Sequence, residues 1–240
     1  MEQMRRLTLL IILLLTIASG CRKKEDPVKS ETQIIPNDLL SADTYKKLTV
    51  EVQYIDGYAP SEQSLENMRI FLHERLNKPD GIKIVKKAIN SPRKSSYTIN
   101  EIKEIEKENR TQNTEGSHLT AYFFFADADY AGNSGNSKVL GAAYGKTSMV
   151  IFEKTVKDYS GGLTQPPVAK LETTIILHEI AHILGLVNNG TPMETAHQDV
   201  NHGKHCNNQK CLMYYTVETT DVVANLLGGD IPVLDAKCIE

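Results

Sequence analysis

The sequence predicts a mixed α/β (α+β) fold in which alternating strands and helices precede one buried, apolar helix. The alternation, the apolar helix and the composition each support this prediction. The 240 residues are 40% hydrophobic and 24% charged, a balance typical of a soluble globular domain with one sizeable core. The net charge of −3 gives no electrostatic reason to expect a nucleic-acid partner.

The predicted elements follow from hydrophobic periodicity and turn residues. We expect strands at 48–55, 82–85, 119–126, 139–144 and 147–152, and helices at 61–76 and 99–110. Residues 48–55 alternate like a half-buried strand, whereas the apolar segment 119–126 is typical of a central strand. The last long helix is expected to begin at Pro166-Pro167 and to end at Gly185, which can adopt the left-handed conformation of a helix C-terminus.

The N-terminus has the pattern of an export signal. Arg5 and Arg6 precede the apolar stretch 7–18, which is too short to span a bilayer as a stable helix. The stretch runs into Ala-Ser-Gly-Cys, which resembles a bacterial lipobox. This resemblance implies cleavage before Cys21 and lipid on that cysteine, so we expect a protein anchored to a bacterial membrane at the cell envelope, periplasmic or surface-exposed. The alternative is an ordinary secretory signal with an incidental cysteine.

These features divide the chain into three parts. Residues 1–20 are predicted to be a lipoprotein signal peptide. Residues 21–40 begin with a polar and charged run, so they are expected to be a flexible tether. Residues 41–240 form the single predicted domain, long enough to bury its own core.

The buried helix carries the sequence His178-Glu179-Ile180-Ala181-His182. Residues i and i+4 are neighbours on one helical face, so both imidazoles can bind one metal ion. Glu179 points to an adjacent face, where it can hold a metal-bound water and accept its proton. Five of the seven histidines fall between 178 and 205. Two core histidines hydrogen-bonded to the backbone are the alternative, but the buried helical context favours a metal site.

The extended motif resembles that of the metzincin zinc peptidases, in which H-E-x-x-H-x-x-G-x-x-H supplies the ligands. Gly185 occupies the position of the glycine, but Asn188 stands at the third ligand position, and an amide is a poor zinc ligand. Further on, the segment 205–213 reads His-Cys-x4-Cys-x-Met and is similar to the archaemetzincin pattern. The chain would then carry an insertion from about residue 188 to residue 204.

This resemblance implies a metzincin-like zincin: a mixed twisted sheet, an active-site helix and a small C-terminal subdomain. It also implies a Zn²⁺ site and a set of functional residues. The implied metal ligands are His178, His182 and His205, and the implied catalytic residues are Glu179 and Tyr215, with Met213 beneath the zinc. Tyr215 would stabilise the oxyanion. The alternatives are His197 or His202 as the third ligand, and packing roles for Met213 and Tyr215.

Four further residues of the C-terminal part have open roles. Asp199 is either a partner that orients a ligand histidine or an ordinary loop carboxylate. Cys206, Cys211 and Cys238 remain after Cys21 is assigned to lipid. Cys206 and Cys211 can form a disulfide that leaves one thiol over, or all three can join a structural zinc site whose fourth ligand the sequence does not identify. The later paired cysteines of the family are represented by Cys238 alone.

We therefore expect residues 41–240 to be a zinc metallopeptidase domain. It would act as a monomer on a peptide or protein substrate, with membrane attachment through lipid on Cys21. Zinc would activate a water and Glu179 would act as general base, while the edge 141–145 could bind an extended peptide. The alternatives are a gluzincin-type peptidase with Glu218 as third ligand, and a non-catalytic, zinc-containing surface lipoprotein.

Overall fold

A five-stranded sheet forms the centre of the computed structural model, which describes residues 29–239, apart from the side chain of Thr32. The predicted signal peptide and Cys21 lie outside the described residues. The strands of the main sheet are β1 (Lys47–Ile55), β2 (Ile82–Ile89), β4 (His118–Phe125), β6 (Gly141–Ala143) and β7 (Ser148–Ile151), and β3 (Ser96–Tyr97) pairs with β5 (Asp129–Tyr130). The helices are α1 (Pro36–Leu40), α2 (Glu62–Arg75), α3 (Ile99–Asn109), α4 (Glu153–Asp158), α5 (Val168–Ile183) and α6 (Val223–Leu226).

The order of the main sheet is β2-β1-β4-β7-β6, with four parallel strands and β6 antiparallel at one edge. Helices α2 and α5 pack on one face, and α3 packs on the other. The mixed α/β prediction is therefore confirmed. Helix α4 was not predicted, because its six residues directly follow β7 and leave no room for an apolar period. The longest helix of residues 29–239 is α5, with 16 residues, and no helix there is long and apolar enough to cross a bilayer.

Strand β1 differs from its predicted half-buried state, because both of its faces are buried. The polar residues of its second face lie under the segment that follows α3. The carboxylate of Glu51 accepts hydrogen bonds from the backbone N–H groups of Thr111 and Gln112, and Gln53 donates to the carbonyl of Asn109 at 2.7 Å. Buried polar groups require such partners. The alternation of apolar and polar residues in β1 therefore separates two buried faces of the sheet, not a buried face and a solvent-exposed face.

Residues 31–40 belong to the fold, which corrects the expected tether and the domain boundary at residue 41. They form a short 3-10 helix (Glu31–Gln33) followed by α1. Ile34 and Leu39 are 2% and 3% exposed and join the main core. Burial of each of these apolar side chains stabilises the fold by about 1.5–3 kcal/mol. This stabilisation explains why the segment packs on the domain although the residues before it are polar.

Helix α5 lies across the sheet with its motif end beside the edge strand β6. A Cβ added at Gly141 of β6 would lie 2.6 Å from the side chain of Ile175 and 2.9 Å from the carboxylate of Glu179. The helix ends at Ile183 with Leu184 as its C-cap, and Gly185 follows with a φ of +80°, as predicted for a left-handed terminating residue. The small residue at 141 thus allows the strand to approach the motif closely.

Gly185 generates the first prediction, because two constraints coincide there. An alanine at this position would have to adopt the left-handed conformation, and its Cβ would lie 2.5 Å from Cγ of Pro36. Gly57 is a matched control, with a φ of +83° and nothing within 4 Å. We expect Gly57→Ala to lower the free energy of unfolding by about 1–2 kcal/mol and Gly185→Ala to lower it by about 1–3 kcal/mol more. Urea denaturation measures both, and equal losses would contradict the packing of Pro36 on the helix end.

Candidate metal centres

Three histidine side chains meet in the cleft beside α5. Nε2 of His182 lies 3.1 Å from Nε2 of His178 and 3.2 Å from Nε2 of His205. Donor atoms bound to a tetrahedral ion at about 2.0–2.1 Å would be separated by about 3.3 Å. The third histidine predicted from the sequence is therefore the one that the structure brings to the motif helix. All three residues are less than 10% exposed.

The protonation of this group fits a metal site. Nδ1 of His178 donates to the carbonyl of Leu212 at 2.7 Å, so Nε2 carries a lone pair that can bind an ion. Nδ1 of His182 is buried without a hydrogen-bond partner among residues 29–239. Burial lowers the pKa of His178 to about 4 and that of His182 well below its usual value. Three imidazole nitrogens at this spacing, two of them on histidines whose burial favours the neutral form, fit a bound metal ion.

The segment around Met213 forms hydrogen bonds that orient the histidine side chains and the backbone beside them. Leu212 supplies the carbonyl that orients His178, and Met213 is fully buried in the main core. The carbonyl of Met213 accepts the backbone N–H of Cys206 at 2.7 Å. Cys206 directly follows His205, so this hydrogen bond fixes the backbone beside the third histidine. Asn188 instead lies in the turn after α5, with a φ of 60°.

Glu179 lies fully buried beside the three histidines. Among residues 29–239, no side chain donates a hydrogen bond to its carboxylate. Burial raises its pKa well above the usual range and the charge of Glu218 raises it further, whereas the backbone N–H of Ala143 on β6 acts in the opposite direction. An unpaired buried carboxylate is costly unless a cation or substrate group faces it. The position of Glu179 therefore agrees with a role toward a metal-bound group rather than a packing role.

Glu218 is the residue after Met213 that the structure brings to the histidines. Its carboxylate lies 3.5 Å from Nε2 of His205 and 4.0 Å from Nε2 of His178. The four residues His178, His182, His205 and Glu218 form one candidate metal group. Burial raises the pKa of Glu218, but its contacts with His205 and His178 outweigh burial and lower the pKa overall. The sequence offered Glu218 as a substitute for His205, whereas the structure places both at the site.

Tyr215 forms a separate group with Asp199 and His202 of the inserted loop. The ring of Tyr215 stacks on His202 with centroids 3.6 Å apart, and the carboxylate of Asp199 lies 3.2 Å from Nδ1 of His202. The side chain of His202 is 42% exposed. The structure thus pairs Asp199 with His202 rather than with one of the three clustered histidines. Tyr215 as an oxyanion donor stays a prediction.

A second candidate metal centre lies among the cysteines. His197, Cys206 and Cys238 form one candidate metal group, in which Sγ of Cys238 lies 3.4 Å from Nε2 of His197. Sγ of Cys211 lies beside this group, 3.5 Å from Sγ of Cys238. The three cysteines are free, so the expected alternative of a Cys206–Cys211 disulfide is wrong for this structure. His197 is the fourth donor that the sequence left unidentified. It belongs to the second centre rather than to the three-histidine cluster.

Backbone N–H groups contact two of the sulfurs. Those of Asn208 and Met213 donate to the cysteines two residues before them, at 3.5 and 3.3 Å, and Asp235 N–H donates to Cys211 at 3.2 Å. The hydrogen bond from Cys238 and the N–H groups of Asp235 and Met213 lower the pKa of the Cys211 thiol to about 6, whereas burial raises the pKa of Cys206 and the hydrogen bond with Cys211 raises that of Cys238. The imidazole and sulfur donors of His197, Cys206 and Cys238 are the types that zinc prefers, so the group fits a structural zinc site with Cys211 beside it.

The sequence signal for His197 was weak because its partners are distant. The fourth donor precedes Cys238 by 41 positions and Cys206 by nine. Nδ1 of His197 donates to the carbonyl of Thr195 at 2.7 Å, so Nε2 presents a lone pair to the thiols. The odd number of cysteines available after Cys21 was the one hint that another donor type completes the site.

The second prediction separates the two centres by their metal content. His205→Ala is expected to weaken metal binding at the first centre, and His197→Ala at the second, so each variant should retain about one fewer ion per chain than the parent protein. Loss of a direct ligand should exceed the 10–100-fold effect of a lost supporting contact. His202→Ala is the matched control from the same loop. Elemental analysis after dialysis against a weak chelator measures all three, and loss from His202→Ala alone would contradict the assignment.

Comparisons with known proteins support the fold. No family model matches the chain, and no curated protein matches it. Among solved structures, it is similar to the archaemetzincin from Methanopyrus kandleri, with a TM-score of 0.50 and 15% sequence identity. The match covers 80% of this chain and 92% of that one. The chain therefore has a mixed α/β architecture with a mostly parallel sheet that is consistent with the archaemetzincin fold.

Proposed function

We propose that the chain is a zinc-dependent endopeptidase. The observation that carries the proposal is the convergence of three imidazole nitrogens, with Nε2 of His182 3.1–3.2 Å from the other two, beside a helix that also buries the carboxylate of Glu179. Zn²⁺ bound by His178, His182 and His205 would polarise a peptide carbonyl and lower the pKa of a bound water. The similarity to archaemetzincin supports the fold on which this site is built.

Glu179 is the proposed general base. Its high pKa without a bound ion would fall beside a cation, because positive charge favours the carboxylate form. The carboxylate could then accept the proton of the attacking water and deliver it to the leaving amine. The edge strand β6 lies against the motif helix at Gly141. We propose that the substrate binds along this edge as an extended strand.

Glu218 bears on both alternatives. In the gluzincin-type alternative Glu218 replaces the third histidine, but His205 is present with it. In a non-catalytic zinc protein the metal would be enclosed by four protein ligands, and Glu218 could be the fourth. The feature that supports catalysis is the buried carboxylate of Glu179, which follows His178 on α5 and receives no side-chain hydrogen bond among residues 29–239. We assign the cysteine centre to a second zinc that holds the C-terminal part together.

We propose that lipid on Cys21 attaches the protein to a bacterial membrane. Cys21→Ser should move the protein from the membrane fraction to the soluble fraction, or leave it unprocessed at higher mass, because the acyl chains provide the attachment. Lys83→Ser is the control, since Lys83 is an exposed residue of β2 outside both candidate metal centres. Fractionation with intact-mass measurement tests the anchor, and an unchanged mass and partition for Cys21→Ser would refute it.

Glu179→Gln tests the proposed catalytic function. The variant should keep the metal content of the parent, because Glu179 is not a ligand. It should lose at least two to four orders of magnitude in peptide hydrolysis, because general base catalysis is removed. Glu194→Gln is the control, since Glu194 is an exposed carboxylate on the inserted loop. Unchanged hydrolysis by Glu179→Gln would remove this residue from the mechanism, and loss of metal would identify it as a ligand.

A further inference from the structure

A second part of the cleft extends from the three-histidine cluster along the end of β6. It has a volume of about 800 Å³ and is bounded by His182, by Ala143 and the turn that follows it, by helix α3, and by Glu31 of the N-terminal segment. An occupant of this cavity would touch both the candidate metal centre and the edge of the sheet. The cavity is therefore positioned to bind part of a substrate.

The walls of this cavity carry an excess of positive charge. Five cationic side chains line it, against two carboxylates: Lys103, Lys107, Arg110, Lys146 and Lys204 face Glu31 and Glu106. The chain as a whole has a net charge of −3, so this excess is a local feature. Like charges gathered around a cleft focus the electrostatic potential toward a ligand of opposite sign.

The protein itself neutralises little of this charge. Glu106 accepts hydrogen bonds from Arg110, Tyr144 and Ser148, so its carboxylate is satisfied within the wall. The other carboxylates of α3 that form ion pairs do so with Lys94 and Lys107. Among residues 29–239, no ion pair involves Lys103, Lys146 or Lys204, and these three side chains are exposed. Three ammonium groups thus remain for a ligand.

Lys204 connects the charged wall to the candidate metal centre. It directly precedes His205, and its φ of 70° lies in the left-handed region that non-glycine residues rarely adopt. The surrounding loop holds this conformation through hydrogen bonds from Asp199 N–H to the His205 carbonyl and from Cys206 N–H to the Met213 carbonyl. Lys204 and His182 line the same cavity. A strained backbone that places a cation beside a reactive site points to a function for that cation.

We propose that this cationic cleft binds an acidic stretch of the peptide substrate, with Lys103, Lys146 and Lys204 as the residues that determine specificity. Carboxylates of the peptide would replace the missing counter-charges, and its backbone could extend along β6. Cleavage of the bound peptide rests on the proposed function, whereas binding does not. The preference should weaken as salt is added, because these ammonium groups are exposed.

Binding is tested with the metal-loaded Glu179→Gln protein, so that the peptide is not consumed. Fluorescent twelve-residue peptides carry three glutamates, three glutamines or three lysines in one otherwise uncharged sequence, placed near either end. Fluorescence anisotropy measures their dissociation constants at low and physiological salt. We expect the glutamate peptide to bind roughly tenfold more tightly than the glutamine peptide, and the lysine peptide to bind least tightly.

Charge reversal locates the binding site. Lys146→Glu and Lys103→Glu should each remove most of the preference for glutamate. Lys83→Glu, which reverses an exposed lysine of β2 outside the cavity, should leave it unchanged. Lys204→Glu is interpreted only where its metal content matches the parent, because its neighbour His205 is a candidate ligand. Equal loss from Lys83→Glu would overturn the proposal, since the effect would then come from net charge.

Two further outcomes are decisive. Equal affinities for the glutamate and glutamine peptides would overturn the cleft assignment even if the wild-type protein hydrolyses both. Competition by a short single-stranded oligonucleotide as effective as that by the glutamate peptide would also overturn it, because the cleft would then bind polyanions generally. A preference for glutamate that depends on Lys146, without hydrolysis by the wild-type protein, would support the cleft and refute the proposed peptidase function.

Discussion

The close approach of three imidazole nitrogens is the constraint on which the site depends. Burial disfavours the protonated forms of His178 and His182, so a metal ion fits their converging nitrogens better than an added proton does. The helix α5 fixes two of them, and the carbonyl of Leu212 holds the ring of His178. The site is therefore organised for a metal ion, and its stability should depend on one.

The two candidate centres share one short segment of chain. His205 belongs to the first centre and Cys206 to the second. The backbone N–H of Cys206 donates a hydrogen bond to the carbonyl of Met213. Cys211 lies two residues before Met213. Residues 184–239 contain little regular secondary structure. A metal ion bound at the cysteine centre would therefore stabilise this part of the chain, and we propose that it would also hold His205 over the motif helix.

Local patterns predicted much of this molecule. The spacing of His178 and His182 needs one helix, and the apolar run of β4 identifies a central strand, so both could be read from short segments. Residues 31–40, His197 and Glu218 could not be interpreted in that way. The apolar side chains of the first segment find their partners beyond residue 47, and His197 meets Cys238 only in the folded chain. Such long-range contacts leave no periodic pattern in the sequence.

The most direct test of the central claim is a crystal structure of the zinc-loaded protein with anomalous diffraction at the zinc edge. We expect one anomalous peak about 2.0–2.1 Å from Nε2 of His178, His182 and His205. We expect a second anomalous peak among Cys206, Cys211, Cys238 and His197. Absence of the first peak, or a peak bound to the helix histidines but not to His205, would contradict the metal site on which the proposed function depends.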